Sequence, residues 1–322
     1  MSKTSLKISL SPRDIRLVEY LLPHQLKFWH EMVDEVLLVL DLHGYNSPGE
    51  QPDIQKIHSL IDSFRSQFPK TRLLHVDYSL KSRKEISKAY FKGKDVPAKT
   101  HRYGPYYSYF FGIYHTTHDY VLNIDCDIFF GGFNPSWLQE AIALLKNPDI
   151  ITCSPHPGPP PADGRLLRQE GKTDNSELRK IIFNTISTRI FFIHKPSFQE
   201  RVCPIPIKLA KWPLLIRALI RKKPLYELPE DTISDIMKSK GLKRIDFLGT
   251  NKGIWTLHPP YRNEEFYHKL PEIIERIENN NLPEEQRGDY DLNHSMIDWS
   301  DAIKIIKNNS LKRKLKNVLN NG

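Results

Sequence analysis

Short apolar runs alternate with amphipathic stretches from residue 6 to residue 154. Apolar runs bounded by polar turn residues are typical of buried strands, and apolar residues three or four apart are typical of the buried face of a helix. The pattern predicts strands in 6–14, 35–41, 71–79, 120–130 and 149–154, and helices in 14–33, 54–68, 134–148 and from Pro105 onwards. This alternation predicts an α/β fold with a mostly parallel central sheet and helices on both faces.

The fourth apolar run, YVLNIDCDIFF (120–130), contains Asp125 and Asp127. Burying an unpaired carboxylate costs several kcal/mol. In a strand, residues two apart share a face with Cα atoms roughly 6.6 Å apart, so the two charges would repel each other. A divalent cation would relieve this repulsion, because hard cations prefer carboxylate oxygens. Ligands of such sheets bind at the carboxyl ends of strands, where Asp41 and Asp77 also fall, and we predict a site there.

The composition narrows the class of protein. The 322 residues are 39% hydrophobic, which is enough for a substantial core. No run approaches the roughly 18 apolar residues that span a membrane, and the first residues show no apolar stretch like that of a secretory signal. Cys126, Cys153 and Cys203 lack metal-binding or disulfide spacing. We therefore expect a cytoplasmic protein.

The formal net charge is +9, which favours anionic partners. The charge is concentrated in two segments, 208–223 and 302–320, that mix Lys and Arg with aliphatic residues as interfacial helices do. The sequence therefore predicts peripheral contact with an anionic membrane, at the inner face if the protein is cytoplasmic. A solvated basic face on a core-packed helix would give the same pattern, and this alternative stays open.

Two downstream segments complete a recognisable order of motifs. LPEDTISDIMKSKGL (228–242) predicts a helix with Glu230 and Asp231 in its first turn, and GIWTLHPPYR (253–262) predicts a short strand that presents His258. Together with SPRD after the first strand, Asp41 and the DCD of the fourth strand, this order resembles the GT-A glycosyltransferases, most closely the inverting family 2 type. The resemblance covers roughly residues 6–262.

The resemblance implies a Rossmann-like GT-A fold and metal-dependent transfer of a sugar from a nucleotide-sugar donor, UDP- or GDP-linked, to an acceptor hydroxyl with inversion. It implies a hexosyltransferase-type enzyme in which Mn²⁺ or Mg²⁺ is bound by Asp125, Asp127 and His258. The donor would contact Pro12, Arg13, Asp41, Arg102 and Asp125. Asp231 would take the acceptor proton, and Glu230 would place the acceptor.

The expected organisation is a glycosyltransferase domain over 1–262 and a helical C-terminal extension over 263–322. The domain would comprise a nucleotide-sugar-binding half (1–154) and an acceptor half (155–262). The Gly-Gly-Phe-type segment that usually precedes the acid pair is absent, and 187–198 and 208–223 stand in its place. The acceptor, a glycan, a lipid-linked molecule or a protein, is therefore not assigned.

Other functions fit parts of the pattern. A non-catalytic sugar-nucleotide-binding protein would share these motifs. A haloacid-dehalogenase-like phosphatase also has aspartates two apart, but Phe129 stands where Thr or Val is usual. A basic nucleic-acid-binding protein would suit the charge, although no zinc, RRM or helix-turn-helix signature is found, and no specific nucleic acid partner is expected. Acids in a first helical turn also favour the helix dipole without any catalysis.

Overall fold

The computed structural model describes residues 2–45, 51–161, 171–174 and 178–308. The strands within these residues are β1 (Thr4–Leu10), β2 (Glu35–Leu40), β3 (Thr71–His75), β4 (Tyr120–Asp125), β5 (Phe129–Gly132), β6 (Ile150–Pro157), β7 (Lys172–Asp174), β8 (Lys180–Phe183), β9 (Ile190–His194), β10 (Lys243–Phe247) and β11 (Ile254–Leu257). The helices are α1 (Ile15–Trp29), α2 (Gln51–Gln67), α3 (Leu80–Phe91), α4 (Tyr107–Tyr114), α5 (Trp137–Leu145), α6 (Lys195–Val202), α7 (Leu214–Ile220), α8 (Pro229–Lys240) and α9 (Glu264–Glu278). Residues 300–308 are also helical.

The main sheet has the strand order β3-β2-β1-β4-β9-β6-β10-β8-β7. Strands β3, β2, β1 and β4 are mutually parallel. Strand β9 then lies antiparallel between β4 and β6, and β8 and β7 continue antiparallel at the far edge. Strand β11 pairs in parallel with β6 and antiparallel with β5. The prediction of an α/β fold with a sheet that is parallel in its core is confirmed.

The sheet is covered on both faces, as the alternation of side chains along β2 shows. Val36, Leu38 and Leu40 belong to a core cluster with residues of α1, α2, α5 and α9. Leu37 and Val39 belong to a second cluster with residues of α3, α4, α6 and α8. Because successive side chains of a strand point to opposite faces, these two clusters lie on opposite sides of the sheet.

Residues 120–130 do not form one strand, as we predicted, but two strands in different pairings. Strand β4 ends at Asp125, a turn follows, and β5 begins at Phe129. Asp127 therefore lies in the turn and does not share a strand face with Asp125. The amide of Gln25 on α1 holds the turn by donating hydrogen bonds to the carbonyls of Asp125 (3.0 Å) and Ile128 (2.8 Å).

Some helix boundaries differ from the predicted ones by a few residues, and not every helix was predicted. Helix α1 continues through Pro23, and α5, predicted over 134–148, begins at Trp137 with Ser136 at its N-cap position. Asn134 accepts a hydrogen bond from the Ser136 amide and donates to Glu140. Helix α3 was not predicted. Helix α8 lies within the predicted 228–242: it begins at Pro229 and ends before Gly241, whose φ of 70° suits glycine.

The segment after residue 262 is built into the main core. The apolar face of α9 belongs to the first core cluster, and Trp299 is buried in the same cluster. The division of the chain at residue 262 stays a prediction, and residues 309–322 of the second basic segment lie outside the described residues. Within the part of the chain that is described, no helix combines the length and apolar character needed to cross a membrane.

Candidate active site

A cavity of about 610 Å³ opens at the carboxyl ends of β1, β2 and β4. The turn after β1, the loop after β2, the segment before α4 and the turn after β4 all contribute to its wall. The polar and aromatic side chains that line it are Ser9, Ser11, Arg13, Asp14, Asp41, His43, Tyr45, Lys99, Tyr103, Ser108, Asp125, Asp127 and Arg262. Three of the four aspartates expected at this edge, Asp41, Asp125 and Asp127, therefore line one cavity, and Asp77 does not.

One end of the cavity is built around Asp41. Its carboxylate accepts hydrogen bonds from Lys99 Nζ (2.8 Å), the Tyr78 hydroxyl (3.2 Å) and the backbone N–H of His43 (3.0 Å). The His43 ring stacks on Tyr78 with centroids 4.6 Å apart. This end thus offers a paired carboxylate and flat aromatic surfaces.

The turn after β1 forms the adjoining wall. The guanidinium of Arg13 lies 5.5 Å from the centre of the Tyr45 ring, and Asp14 accepts hydrogen bonds from the hydroxyl (2.7 Å) and amide (3.1 Å) of Ser11. Pro12 is buried at the start of this 3₁₀ turn and supports it without lining the cavity. Arg102 is exposed and does not line the cavity.

Asp127 is a buried carboxylate of the site, 5% exposed like Asp41. Its Oδ2 accepts a hydrogen bond from Arg262 Nη2 and lies 3.3 Å from His258 Nε2. Burial alone would raise the pKa of Asp127, but the hydrogen bonds and positive charges of His258 and Arg262 outweigh it and hold the pKa well below its ordinary value. Asp127 is therefore ionised, and its Oδ1 is buried without a hydrogen-bond partner in the described residues.

Asp125 has a contrasting environment. Desolvation and then the negative charge of Asp127 raise the pKa of Asp125 to about 7, against the opposing charge of Lys7. Lys7 is fully buried in β1, donates a hydrogen bond to Asn123 (2.9 Å) and lies over the Tyr109 ring. Burial lowers the pKa of Lys7 to about 8. The two aspartates are only two residues apart, but their surroundings raise the pKa of Asp125 and lower the pKa of Asp127.

His258 is held from its other side by the segment that follows α9. Its Nδ1 lies 3.2 Å from Asp291 Oδ1, and its ring is parallel to that of Tyr290 with centroids 5.8 Å apart. Burial lowers the pKa of His258, but the hydrogen bonds with Asp127 and Asp291 outweigh that effect and raise it. A carboxylate behind a histidine also fixes the ring when histidine binds a metal.

The donor set can be tested against a divalent cation. Among the described residues no group of three or more His, Cys, Asp and Glu side chains could hold a metal ion by itself. Mg²⁺-type sites, however, commonly use one or two carboxylates together with substrate phosphates. The unpartnered Asp127 Oδ1 and the poorly compensated Asp125 fit a cation that is bound jointly with a diphosphate.

The two predicted acids of α8 have different surroundings. Glu230 Oε2 accepts hydrogen bonds from the backbone N–H (2.8 Å) and the hydroxyl (2.9 Å) of Thr188. The carbonyl of Thr188 in turn accepts from Asn123 Nδ2 (3.1 Å), so Glu230 is connected to β4. Asp231 is exposed, and within the described ranges no hydrogen bond or ion pair to it is found.

Glu230 also lines a second cavity, of about 410 Å³. Its wall is mostly polar and includes Asn184, Lys238, Arg244, Asp246 and Tyr290. Tyr290 also stacks on His258, so one residue of the second cavity wall is in contact with the group around Asp127. The structure thus brings Arg13, Asp41, Asp125 and Asp127 together, places His258 behind Asp127, and leaves Arg102 and Asp231 outside both cavities.

Sequence reasoning missed Lys99, Arg262 and Asp291. Arg262 ends the stretch GIWTLHPPYR, and its position after the predicted strand was the available signal. Lys99 and Asp291 carry no such signal, because their roles depend on contacts with residues 58 and 33 positions away, respectively.

No family model and no curated protein matches the chain. Solved structures with a similar arrangement include S. aureus TarS 1–349 in complex with UDP-GlcNAc, at 13% identity over 83% of this chain and 60% of that chain with a TM-score of 0.42. The mannosyltransferase PcManGT from Pyrobaculum calidifontis, in complex with GDP-Man and Mn²⁺, has 12% identity over 85% and 60% with a TM-score of 0.40. LgtC with donor and acceptor sugar analogs has 9% identity over 74% and 72% with a TM-score of 0.34. The chain thus spans about 60% of the TarS and PcManGT chains. At TM-scores below 0.5 these similarities assign neither a substrate nor a mechanism to this chain.

Proposed function

We propose that this protein transfers a sugar from a nucleotide-sugar donor to an acceptor hydroxyl. The observation that carries the proposal is the 610 Å³ cavity, which has Asp125, Asp127 and Arg262 near one end and Asp41 with aromatic rings near the other. A nucleoside diphosphate has the matching distribution, with a flat base and ribose hydroxyls at one end and two anionic phosphates at the other. Carboxylates accept hydrogen bonds from hydroxyls, and aromatic side chains stack on bases.

The base and ribose would lie between Asp41, the Arg13 turn and the rings of His43 and Tyr45. Lys99 keeps Asp41 oriented and adds a positive charge to the wall. The diphosphate would then extend towards Arg262, whose planar guanidinium suits phosphate oxygens better than a point charge does. Arg102, which is exposed, would remain in solvent away from the donor.

Asp125, Asp127 and His258 would hold Mn²⁺ or Mg²⁺ jointly with the phosphates of the donor. When bound, such an ion would neutralise the negative charge that the departing diphosphate develops. Arg262 would stabilise the same charge from the protein side, because it is fixed by Asp14 and Asp127 before the donor arrives. Asp41, with its hydrogen-bond partners Lys99 and Tyr78, would fix the orientation of the nucleotide while the sugar is transferred.

Asp231 would take the proton of the acceptor hydroxyl, because an exposed carboxylate in the first turn of α8 is free to accept one. Glu230 would position the loop at Thr188 next to β4, since both of its hydrogen bonds go to that residue. Attack from the side opposite the diphosphate would invert the sugar carbon. The retaining outcome is the alternative, and the anomeric configuration of the product separates the two.

The test is binding followed by turnover. Calorimetry of the purified chain with UDP, GDP and ADP, each with and without Mn²⁺, should identify one nucleotide that binds best. Lys99→Ala should weaken that nucleotide at least tenfold, whereas Arg102→Ala, a nearby exposed cation, should not. Release of nucleoside diphosphate from the matching nucleotide sugar would then distinguish an enzyme from a binding protein. If no nucleoside diphosphate binds under any of these conditions, the proposed function is wrong.

A further inference from the structure

The first basic segment predicted from the sequence lies on the surface between α6 and α8. We call it the basic loop (208–223). Its two ends are joined, because Ala210 donates a backbone hydrogen bond to Leu225 (2.8 Å) and Glu227 donates one to Lys208 (2.9 Å). Helix α7 lies within the loop. The two ends of the loop are therefore fixed to each other, and most of its residues are exposed.

The basic loop exposes an unusual share of apolar surface. Five of the twelve large hydrophobic residues that are exposed in the described part of the chain lie in it. Trp212 is 72% exposed and Ile220 77% exposed, and the others are Leu209, Ile216 and Leu219. Single exposed apolar residues are ordinary, but a contiguous group of them marks an interaction surface.

The same loop carries positively charged side chains that have no ion-pair partner among the described residues. Arg217, Arg221 and Lys222 are exposed, and none of them forms a hydrogen bond or ion pair through its side chain with any residue the structure describes. By contrast Lys208 is paired with Asp235 at 2.8 Å. Three free cations beside exposed aliphatic and indole side chains are the combination that binds the headgroup layer of an anionic bilayer.

The basic loop borders the first cavity. Lys223 lies 4.8 Å from the centre of the Tyr103 ring, and both Tyr103 and Pro224, the residue after the loop, line the cavity. A surface that received the loop would therefore also lie beside this part of the cavity wall.

We propose that the basic loop docks on the surface of an anionic lipid bilayer. Trp212, Leu219 and Ile220 enter the headgroup region, and the free cations pair with lipid phosphates. Each Lys or Arg near an anionic surface contributes about fivefold in affinity. A nucleic acid would use the cations but leave the aliphatic side chains in water, so the lipid surface is the better match. Docking does not depend on the transfer reaction, and it would place the first cavity at the membrane.

The experiment is co-sedimentation of the full chain with vesicles of phosphatidylcholine alone or with phosphatidylserine added, whose anionic headgroups give the vesicle a negative surface potential. We expect binding to the anionic vesicles only, weakened by 0.5 M salt, which is enough to screen surface charges. Trp212→Ser combined with Ile220→Ser should reduce binding at least tenfold. Leu80→Ser is the matched control, because Leu80 is 78% exposed but lies on α3, and it should leave binding unchanged.

Tryptophan fluorescence locates the contact. Of the five tryptophans, Trp29, Trp137, Trp255 and Trp299 are buried and Trp212 is exposed. Brominated lipids should therefore quench only the fluorescence of Trp212, and Trp212→Phe should abolish the quenching while sedimentation is largely retained. Absence of sedimentation with anionic vesicles, an equal loss in the Leu80 variant, or displacement by a short RNA with no quenching would each overturn the proposal.

Discussion

Arg262 donates a hydrogen bond to Asp127 and lies 3.4 Å from Asp14, so one guanidinium connects the turn after β4 to the turn after β1. Both acids line the first cavity. The negative charge of Asp127 and its hydrogen bond raise the pKa of Arg262, against the effect of burial. The pair is thus a fixed dipole at the phosphate end of the proposed donor site.

Arg262→Ala should weaken binding of the preferred nucleoside diphosphate at least tenfold, because a charge-assisted contact to phosphate is lost. The same change leaves the buried Asp127 with His258 as its remaining cationic partner, so the melting temperature should also fall. Arg262→Lys is the informative companion. It retains the charge and should recover the melting temperature more than the affinity. Equal affinity in all three proteins would place the phosphates elsewhere.

Asp127→Asn should weaken the Mn²⁺-dependent part of nucleotide binding at least tenfold, which is about 1.4 kcal/mol. The physical reason is the loss of an ionised oxygen, Oδ1, that has no protein partner to satisfy it. Binding without Mn²⁺ should change little. Calorimetry of both proteins at several Mn²⁺ concentrations measures the difference, and Asp77→Asn, at an exposed acid after β3, is the control.

Asp231→Asn should reduce turnover roughly 100-fold or more while donor affinity and melting temperature stay close to those of the wild type. Glu230→Gln should behave differently. It weakens the acceptor of two hydrogen bonds from Thr188, so it should lower the melting temperature and reduce turnover less. Product formation, donor affinity and melting temperature are measured for both variants. Near wild-type turnover in the Asp231 variant would mean that the base, and with it the inverting reaction, is wrongly assigned.

Glu278 should stabilise the fold at neutral pH and lose this effect in acid. His24 Nε2 accepts a hydrogen bond from the Phe130 amide, so Nδ1 carries the proton that is donated to Glu278 (2.9 Å). This hydrogen bond, with that from Lys27, lowers the pKa of Glu278 to about 2 against the effect of desolvation. The unfolded chain, with a pKa near its ordinary value of about 4.3, binds the proton more readily. The stabilisation is therefore complete above about pH 5 and disappears as the pH falls towards 2.

The measurement is the difference in melting temperature between wild type and Glu278→Gln. We expect a clear gap at pH 7 that narrows at pH 3. Glu275→Gln, at an exposed position of the same helix, should show little gap at either pH. A gap that stays constant with pH would show that the carboxylate charge is not what stabilises the contact.

Gly132→Ala should destabilise the protein by about 1–3 kcal/mol more than Gly93→Ala does. Both glycines have φ of +77°, so both changes incur the same left-handed backbone strain. A Cβ at residue 132 would lie 2.3 Å from the carbonyl oxygen of Gly253, whereas a Cβ at residue 93 would meet no atom within 4 Å. Chemical denaturation of both variants isolates the cost of the close approach between β5 and β11.

The strand-end argument was sufficient to place Asp41, Asp125 and Asp127 near one another, because parallel strands bring their carboxyl ends to one edge. It could not show that the run from 120 to 130 breaks after Asp125. That break is held by Gln25 of α1, which lies 100 and 103 positions from the two residues it contacts, so local periodicity does not show the contact. Helix α3 was missed because its first half, LKSRKE (80–85), is mostly charged or polar, and its buried apolar positions, Ile86, Tyr90 and Phe91, are confined to the second half.

The partners of the predicted site residues were harder to foresee than the residues themselves. His258 pairs with Asp291 only because the chain returns to the site after α9. The hydrogen bonds between Glu230 and Thr188 join two segments 42 residues apart. Neither contact leaves a periodic pattern in the sequence from which it could be predicted. A motif thus indicates which side chains carry chemistry, while packing decides which of them are buried, paired or exposed.

The return of the chain after α9 also sets the order in which the site can be completed during synthesis. Ribosomes add on the order of 10 residues each second, so Asp127 emerges many seconds before Asp291 does. During that interval the sheet can form while His258 has yet to gain its second carboxylate. A nascent chain would therefore complete the support behind His258 late in synthesis, and premature termination after α9 would release a protein that lacks both this support and the part of the core that contains Trp299.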